Sequence, residues 1–164
     1  MASLSTSSRI VLPNDTNVLG NLMGGQLLSW MDITSAIAAH RHCGRVVVTA
    51  AVNNVSFNHP IALGDIVTIE AKVTRAFTSS MEVFMDVYVE DRLTAEKTKC
   101  NEAIYTFVAV DQIGKSIDVP ELTPESEEEK SRYDAALRRR QLSLILAGRM
   151  TANEATELKA LFYS

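Results

Sequence analysis

A long apolar segment that carries a single carboxylate constrains the fold more than any other part of the sequence. Residues 24–40 read GGQLLSWMDITSAIAAH, so apolar or small side chains would occupy nearly every face of a helix formed here. A helix that is apolar all round is typical of a buried position. A carboxylate in such a helix costs free energy unless it is paired, hydrogen-bonded or protonated. We therefore predict a buried central helix over residues 25–41, ended by Gly44, and a functional role for Asp32.

Composition and charge exclude several classes of protein. The chain has 164 residues, of which 46% are hydrophobic and 22% charged, enough for one domain with a real core. Its net charge of -4 disfavours general nucleic-acid binding. Cys43 and Cys100 lack metal-ligand spacing and are expected to be free thiols, so no metal site is predicted. The chain shows neither a secretory signal nor an apolar run of membrane-spanning length, and a cytoplasmic protein is expected.

Four segments after this helix carry the hydrophobic pattern of strands. Their apolar and polar residues alternate or are rich in valine, and short, turn-rich links separate them. Such links favour antiparallel neighbours. Residues 1–8 are predicted to be loose, and Pro13 is predicted to stop a short first strand over residues 9–12. The four long predicted strands are Arg45–Phe57, Asp65–Phe77, Met81–Glu90 and Thr98–Val110.

The last part of the chain is predicted to be helical. Thr123-Pro124-Glu125 has the pattern of a helix start, and that helix is expected to reach about Ala147. Thr151 and Glu154 form a capping-box pattern before a last short helix that ends near Phe162. We therefore predict an α+β fold with three parts: a flexible N-terminus over 1–8, an antiparallel sheet wrapped around a long central helix over 9–118, and a helical extension over 119–164.

The segment from Leu12 to Asp32 reads LPNDTNVLGNLMGGQLLSWMD and contains the pattern N-x-x-G-x-x-x-G-G-x-x-x-x-x-x-D. This segment resembles the signature of the hotdog-fold acyl-CoA thioesterases. The similarity is closest to acyl-CoA hydrolases of the YciA, brain and brown-fat type. Segments 48–53, 74–82 and 119–127 resemble the same branch, so the match spans residues 9–140, whereas residues 141–164 carry no usable family motif.

The resemblance implies a fold, an assembly and an activity. The fold is a hotdog, and the unit is a dimer with active sites at the subunit interface, often assembled as a trimer of dimers. The implied reaction is hydrolysis of fatty acyl-CoA to free fatty acid and CoA. No cofactor is implied, because CoA belongs to the substrate and product. The acyl tunnel would be apolar, with Leu22, Met23, Leu27 and Phe57 as candidates, and chain-length preference is not predicted.

The resemblance also implies three catalytic residues. Asp32 matches the family carboxylate, which acts as general base on water or as nucleophile on the thioester carbonyl. Asn17 matches an asparagine contributed by the facing subunit. Gly25 at the helix start is the candidate oxyanion donor through its backbone N–H. From residue type alone, a structural buried aspartate, a turn asparagine and a packing glycine remain open alternatives.

Further positions match CoA contacts of the family. Thr78, Ser79 and Ser80 form a polar turn whose groups would bind pantetheine or phosphates. Thr49, Ala50 and Ala51 offer an edge-strand backbone to the pantetheine amides. Arg140, in the cluster Arg138–Arg140, would bind the nucleotide 3'-phosphate. In isolation, an ordinary hairpin turn, an ordinary strand and a solvated helix face are the favoured explanations of these residues.

Three other functions compete with hydrolysis. An acyl-CoA dehydratase on the same fold needs a histidine beside the carboxylate, and the spacing does not supply one. His40 and His42 lie at the predicted helix end, and no nucleophile motif accompanies them. A noncatalytic acyl-CoA or lipid-binding oligomer would bind without turnover. A purely structural oligomer would leave Asp32 unexplained.

Overall fold

The structure is a computed structural model that describes residues 3–53, 55–57 and 59–163. The chain divides into two compact units, Met1–Pro120 and Glu121–Ser164. The division falls two residues beyond the predicted start of the helical extension. The first unit contains a sheet and a long helix, and the second contains two helices.

The first unit is an antiparallel five-stranded sheet that packs against one long helix. Its strands lie side by side in the order β1-β3-β4-β5-β2. The predicted α+β architecture, an antiparallel sheet around a central helix, is confirmed. The elements are β1 (Ser5–Ile10), a 3-10 turn (Pro13–Asp15), α1 (Gly24–Cys43), β2 (Val46–Asn53), β3 (Ile66–Ala76), β4 (Ser80–Glu90) and β5 (Lys97–Val110).

Helix α1 is buried on one side only. Its buried side consists of Leu27, Trp30, Met31, Thr34, Ser35, Ala38 and Ala39. On the opposite side, Ile33 is 49% exposed and Ile37 is 41% exposed. Within the single chain the predicted buried helix is therefore sealed on one side only, because one sheet covers only one side of a helix. Asp32 is half-buried, beside this apolar stripe.

The predicted strand alternation produces the core under α1. On the three central strands, buried apolar residues recur at alternate positions along much of each strand, and most of the intervening side chains are more exposed. These buried side chains form the apolar face that a half-covered sheet needs. They are Val67, Ile69, Ala71 and Val73 on β3, Met81, Val83, Met85, Val87 and Val89 on β4, and Ala103, Tyr105, Phe107 and Ala109 on β5.

Strand β2 is an exposed edge strand. It pairs antiparallel with β5 at one end of the sheet order. Val46 is 66% exposed and Val48 is 47% exposed, although both are apolar. The strand ends at Asn53, so it is shorter than the predicted Arg45–Phe57, in which residue 54 lies outside the described residues. Together with Ile33 and Ile37, β2 gives the first unit an uncovered apolar surface.

Strand β1 begins earlier than the sequence predicted. It spans Ser5–Ile10 and pairs with β3, so the predicted looseness of residues 1–8 is wrong for Ser5 to Ser8. Hydroxyl groups explain the difference. Ser7 Oγ lies 2.8 Å from Thr34 Oγ1 of α1, and Ser8 Oγ lies 2.8 Å from Thr68 Oγ1 of β3. A serine-rich segment forms a strand here because its side chains have polar partners.

The second unit contains α2 (Glu127–Leu146) and α3 (Thr156–Tyr163). The predicted start at Thr123-Pro124 is wrong, because Ser126 caps α2. Its hydroxyl accepts the Glu129 N–H at 3.1 Å, and the Glu129 carboxylate accepts the Ser126 N–H at 3.3 Å. This reciprocal capping box satisfies two N–H groups at once. The predicted contact of Thr151 with Glu154 forms at 2.7 Å, but it closes a turn before α3.

Replacement of Gly44 by alanine tests how α1 ends. Gly44 has φ +67 and donates its N–H to His40 O at 2.7 Å. A Cβ would meet nothing within 4 Å, so the cost comes from the backbone conformation alone. We expect Gly44→Ala to lower the free energy of unfolding by about 1 kcal/mol in urea denaturation.

Gly25→Ala is the matched control for this measurement. Gly25 also has open space around its Cβ position, but it does not have a positive φ. Its replacement is expected to leave the free energy of unfolding unchanged or to raise it slightly, because alanine is the better helix former. Equal stability of the Gly44→Ala protein and the wild type would contradict the assigned helix end.

Candidate active site

A hydrogen bond joins the carboxylate of α1 to the edge strand. The Thr49 hydroxyl donates to Asp32 Oδ1 at 2.5 Å. The chain reverses at Gly44, and β2 then runs back along α1. From Asp32 to Gly44 the helix rises about 18 Å, and from Gly44 to Thr49 the strand advances about 17 Å. Because these two lengths are nearly equal, the side chains of Asp32 and Thr49 lie at the same height along the helix axis.

A β-bulge lies directly beside this pair. Thr49 is opposite Phe107 of β5, and Ala51 is opposite the neighbouring Thr106, so Ala50 is the extra residue. A bulge changes the direction in which nearby side chains point. Thr49, Ala50 and Ala51 are exposed residues of an edge strand, as a contact with pantetheine would need, and this contact stays a prediction.

Tyr105 lies beneath the Asp32 turn of the helix. Only 1% of Tyr105 is exposed, and its hydroxyl donates to Leu28 O at 3.1 Å. In an α-helix the same carbonyl accepts the N–H of Asp32, four residues later. Burial, and secondarily the negative charge of Asp32, raises the pKa of Tyr105 to about 12. Tyr105 therefore stays a neutral donor that supports the turn carrying Asp32.

Asn17 lies in the loop before α1. Its side-chain oxygen accepts the Leu19 N–H at 2.9 Å and the Asn21 N–H at 3.2 Å. The turn interpretation therefore accounts for the oxygen, whereas a catalytic role would use the NH2 group of the amide. This loop borders an open cleft lined by Asn17, Asn21, Leu22, Gly24, Leu27, Phe57, His59, Pro60 and Ile61.

Two glycines begin α1 beside this cleft. The first N–H groups of a helix have no acceptor within the helix and face outward with the positive end of the dipole. A Cβ on Gly24 would lie 3.3 Å from the Phe57 ring, whereas Gly25 has open space. Gly25 can therefore bring its N–H close to a ligand. It faces the same side of α1 as Asp32, but lies about 10 Å from it along the helix axis.

One chain thus carries two separate halves of the predicted site. Asp32 and Thr49 form one half, and Asn17, Gly24 and Gly25 form the other at the helix start. The rise from Gly24 to Asp32 is about 12 Å, too far for both halves to act on one carbonyl carbon. A site made of both halves needs a second chain.

The predicted turn between β3 and β4 is held by its backbone. Phe77 N–H donates to Ser80 O at 2.8 Å, and Thr78 O accepts the Val119 N–H at 2.9 Å. Thr78 is exposed, Ser79 is half-exposed and Ser80 is buried. Arg140 lies on α2 of the second unit and is half-buried. The CoA contacts of these residues stay predictions.

The two histidines of α1 have backbone partners. His40 Nδ1 lies 2.9 Å from Arg45 O, and His42 Nε2 lies 2.8 Å from Pro120 O. Among residues 3–53, 55–57 and 59–163, no group of three or more His, Cys, Asp or Glu side chains could hold a metal ion. No helix within these ranges is long and apolar enough to cross a membrane.

Sequence reasoning missed two features of this site. It assigned Thr49 a backbone contact with CoA and overlooked the hydroxyl that holds Asp32. The matching distances on either side of Gly44 were the signal for this contact. It also gave no role to Tyr105, although the alternation on β5 places that side chain inward, toward α1.

Comparison with known proteins identifies a matching family and close relatives. Residues 19–96 match the model of the thioesterase superfamily. Acyl-coenzyme A thioesterase 11 of Mus musculus is 41% identical over 140 residues, covering 85% of this chain and 23% of the mouse protein. The uncharacterized acyl-CoA thioester hydrolase YkhA of Bacillus subtilis (strain 168) is 43% identical over 129 residues, covering 79% of this chain and 75% of that protein. The chain thus spans about a quarter of the mouse relative's length.

Solved structures of hotdog thioesterases have the same architecture. An apo-hexameric acyl-CoA thioesterase superposes with a TM-score of 0.84 at 38% identity, covering 89% of this chain and 94% of the other. The acyl-CoA hydrolase of Staphylococcus aureus, solved with butyryl coenzyme A, coenzyme A and coenzyme A disulfide, gives a TM-score of 0.80 at 37% identity, covering 90% and 92%. Variants of that enzyme replace an asparagine, an aspartate and a threonine by alanine, at positions separated by fifteen and seventeen residues.

The raised pKa of Tyr105 predicts a pH dependence of stability. The phenol loses its proton near pH 10 when unfolded, but only near pH 12 when folded. Between these values the unfolded chain binds fewer protons, so the free energy of unfolding falls as pH rises, by at most about 1.4 kcal/mol per pH unit. Below pH 10 the phenol is protonated in both states, so the stabilisation that Tyr105 contributes is fully present.

Urea denaturation of the wild type and of Tyr105→Phe between pH 8 and 11 measures this effect. The variant lacks the ionisable phenol, so its stability should fall less steeply above pH 10. Because every other titrating group is common to both proteins, the difference isolates Tyr105. Parallel stability curves across the whole range would contradict the buried, raised-pKa phenol.

Proposed function

The chain belongs to the thioesterase superfamily, and on this premise we propose that it is an acyl-CoA thioesterase that hydrolyses fatty acyl-CoA to free fatty acid and CoA. The names of its relatives support the reaction class, and the coenzyme A ligands of the Staphylococcus aureus enzyme support the substrate class. The observation that carries the proposal is the hydrogen bond from Thr49 to Asp32.

That hydrogen bond gives the carboxylate a defined orientation. Thr49 occupies one oxygen of Asp32, which leaves the other oxygen to accept a proton. Fifteen residues separate Asn17 from Asp32, and seventeen separate Asp32 from Thr49. The same spacing and the same residue types occur among the alanine variants of the Staphylococcus aureus enzyme. This agreement supports Asn17, Asp32 and Thr49 as members of one catalytic group.

The proposed reaction begins with attack of water on the thioester carbonyl. Asp32 takes a proton from that water as general base while the new C–O bond forms. The Gly25 N–H, at the positive end of α1, stabilises the oxyanion, and the Asn17 amide orients the water or the carbonyl. The C–S bond then breaks, and the proton held by Asp32 goes to the departing CoA sulfur. Direct attack by Asp32 as nucleophile is the alternative first step.

The two halves of the site require an oligomer, at least a dimer. Asp32 and Thr49 would come from one subunit, and Asn17 and Gly25 from its partner. The exposed edge of β2 and the apolar stripe at Ile33 and Ile37 support a two-fold interface, since identical edges can pair with each other. The hexameric relatives support a trimer of dimers.

The rest of the assignment follows the resemblance. The exposed backbone from Thr49 to Ala51, the turn from Thr78 to Ser80 and Arg140 are the proposed CoA contacts. Turnover needs no metal or redox cofactor in this scheme, because water, a carboxylate and N–H donors carry every step. A cytoplasmic location is part of the same proposal.

Replacement of Asp32 by asparagine tests the general base. The amide has the same shape but accepts no proton, so kcat should fall by about 10²- to 10⁴-fold. The affinity for CoA should stay within about threefold, because Asp32 is not itself a proposed CoA contact and the asparagine oxygen can still accept the Thr49 hydroxyl. Release of free thiol from acyl-CoAs between acetyl and palmitoyl measures kcat, and calorimetry measures CoA binding. A wild-type protein that binds CoA but releases no thiol from any of them would be a noncatalytic binding module.

Two substitutions at Thr49 test the hydrogen bond. Thr49→Val removes the hydroxyl at constant shape and should lower kcat by about 10-fold or more, because Asp32 loses its orientation. Thr49→Ser is the control, since it retains the hydroxyl and should keep kcat within about threefold. Equal rates for the valine and serine variants would contradict the role given to this contact.

A further inference from the structure

A second carboxylate, Asp15, is buried between the Asn17 loop and the first turn of α1. It is 6% exposed. One oxygen, Oδ2, accepts the Leu12 N–H at 3.0 Å, and the other, Oδ1, accepts the Gln26 side-chain NH2 at 3.0 Å. Its backbone carbonyl accepts the Met23 N–H at 2.9 Å. Asp15 therefore joins the turn before Asn17 to the helix that begins with Gly24 and Gly25.

The chemistry of this contact uses both carboxylate oxygens of Asp15 as acceptors. Both neighbours are donors, and only two acceptor oxygens on one side chain satisfy them together. An asparagine would have one acceptor and would direct its own NH2 at a donor. Because a buried charge costs free energy, a simple turn gives little reason for an aspartate here.

The contact between Asp15 and Gln26 lies directly beside two groups of the proposed site. Asn17 lies two residues after Asp15, and Gln26 directly follows Gly25. Met23, the residue before α1, provides no side-chain cap. The Asp15 backbone and carboxylate join the loop directly to the helix start, in addition to the hydrogen bonds between Asn17 and Asn21. A negative charge near the helix N-terminus is also favoured by the dipole.

We infer that Asp15, acting through Gln26, is a positioning residue that fixes the distance between the Asn17 amide and the Gly25 N–H. This inference rests on the proposed function, because these two groups would hold the water and the thioester carbonyl. In this scheme Asp15 acts on the reacting groups only through its contacts with Leu12 and Gln26. Loss of its contact with Gln26 lets the loop and the helix start move apart, and the reacting groups lose their alignment.

The inference predicts a change in kcat rather than in KM. Misalignment at the carbonyl by about 1 Å can cost about 100-fold in rate. The proposed CoA contacts lie at other places in the chain, so binding of the CoA part of the substrate, which we expect to dominate KM, changes little. A purely structural role for Asp15 would lower thermal stability and leave kcat of the folded enzyme unchanged.

A double-substitution cycle with compensating groups is the sharpest experiment. Asp15→Asn places the new NH2 group against one of the two donors, and Gln26→Glu places two carboxylates against each other. The combined variant restores a full match, because the new amide oxygen accepts the Leu12 N–H and the new NH2 donates to the new carboxylate. Each single substitution should lower kcat about 10- to 100-fold with KM within about threefold, and the double variant should recover to within about fivefold of wild type.

Asp65→Asn provides a control for the loss of a buried carboxylate. Asp65 is 7% exposed and accepts backbone N–H groups of Ala62 and Arg92, without a contact to α1. The Asp65→Asn substitution should lower the melting temperature but keep kcat within about threefold. The inference is overturned if Asp65→Asn lowers kcat as much as Asp15→Asn, if single substitutions keep wild-type kcat, or if the double variant shows no recovery.

Hydrogen exchange of the backbone amides from residue 17 to 25 tests the same link without substrate. Measured at equal intervals below each melting temperature, exchange should be faster in both single variants and return to the wild-type rate in the double variant. A wild-type protein without turnover would refute the proposed function, and the exchange rates would still decide the link. Unchanged exchange in both single variants would refute it.

Discussion

The hydrogen bond from Thr49 to Asp32 depends on a match of lengths between a helix and a strand. Helix α1 ends at Gly44, whose left-handed backbone turns the chain back on itself. Strand β2 then returns along the helix by nearly the distance that separates Asp32 from Gly44. Insertion or deletion of one residue in this segment would move Thr49 away from Asp32 or turn its side chain to the other face. The orientation of the carboxylate is therefore set by the geometry of a long segment rather than by local sequence.

The same geometry places the carboxylate beside the surface that the single chain leaves uncovered. Edge strand β2 and the stripe at Ile33 and Ile37 are apolar and exposed, which is costly for an isolated chain. A second copy on this surface would bury it and would bring the start of its own α1 toward Asp32. Assembly and catalysis would then be one requirement, because the interface that buries the apolar surface would also complete the proposed site.

Features with strong local signals could be predicted from the sequence. Helix α1 was predicted to within two residues at each end, because its apolar run and Gly44 mark it clearly. The three central strands were predicted to within a residue or two, because their alternation is regular. Strand β1 was misjudged, since its serines gain their partners only through contacts with Thr34 and Thr68. The start of α2 was misplaced because two capping patterns overlap, and the reciprocal pair of Ser126 and Glu129 satisfies more N–H groups than Pro124 does.

The candidate site divides in the same way. Asp32, Asn17 and Gly25 could be proposed from a motif, because they lie within one short stretch of sequence. The partner of Asp32 on β2 and the support from Tyr105 depend on tertiary packing, so residue spacing alone did not reveal them. Composition predicts a buried α1, but composition does not distinguish a surface covered by the same chain from one covered by a second copy.

Subunit mixing tests most directly whether two copies share each site. Asn17→Ala and Asp32→Ala chains would be purified separately, unfolded, mixed in equal amounts and refolded, with each chain refolded alone as control. Each hybrid dimer then holds one site with both groups intact, so random pairing predicts recovery of about a quarter of wild-type activity. The separate chains should stay inactive. A mixture no more active than its two components would contradict a site built from Asn17 of one subunit and Asp32 of its partner.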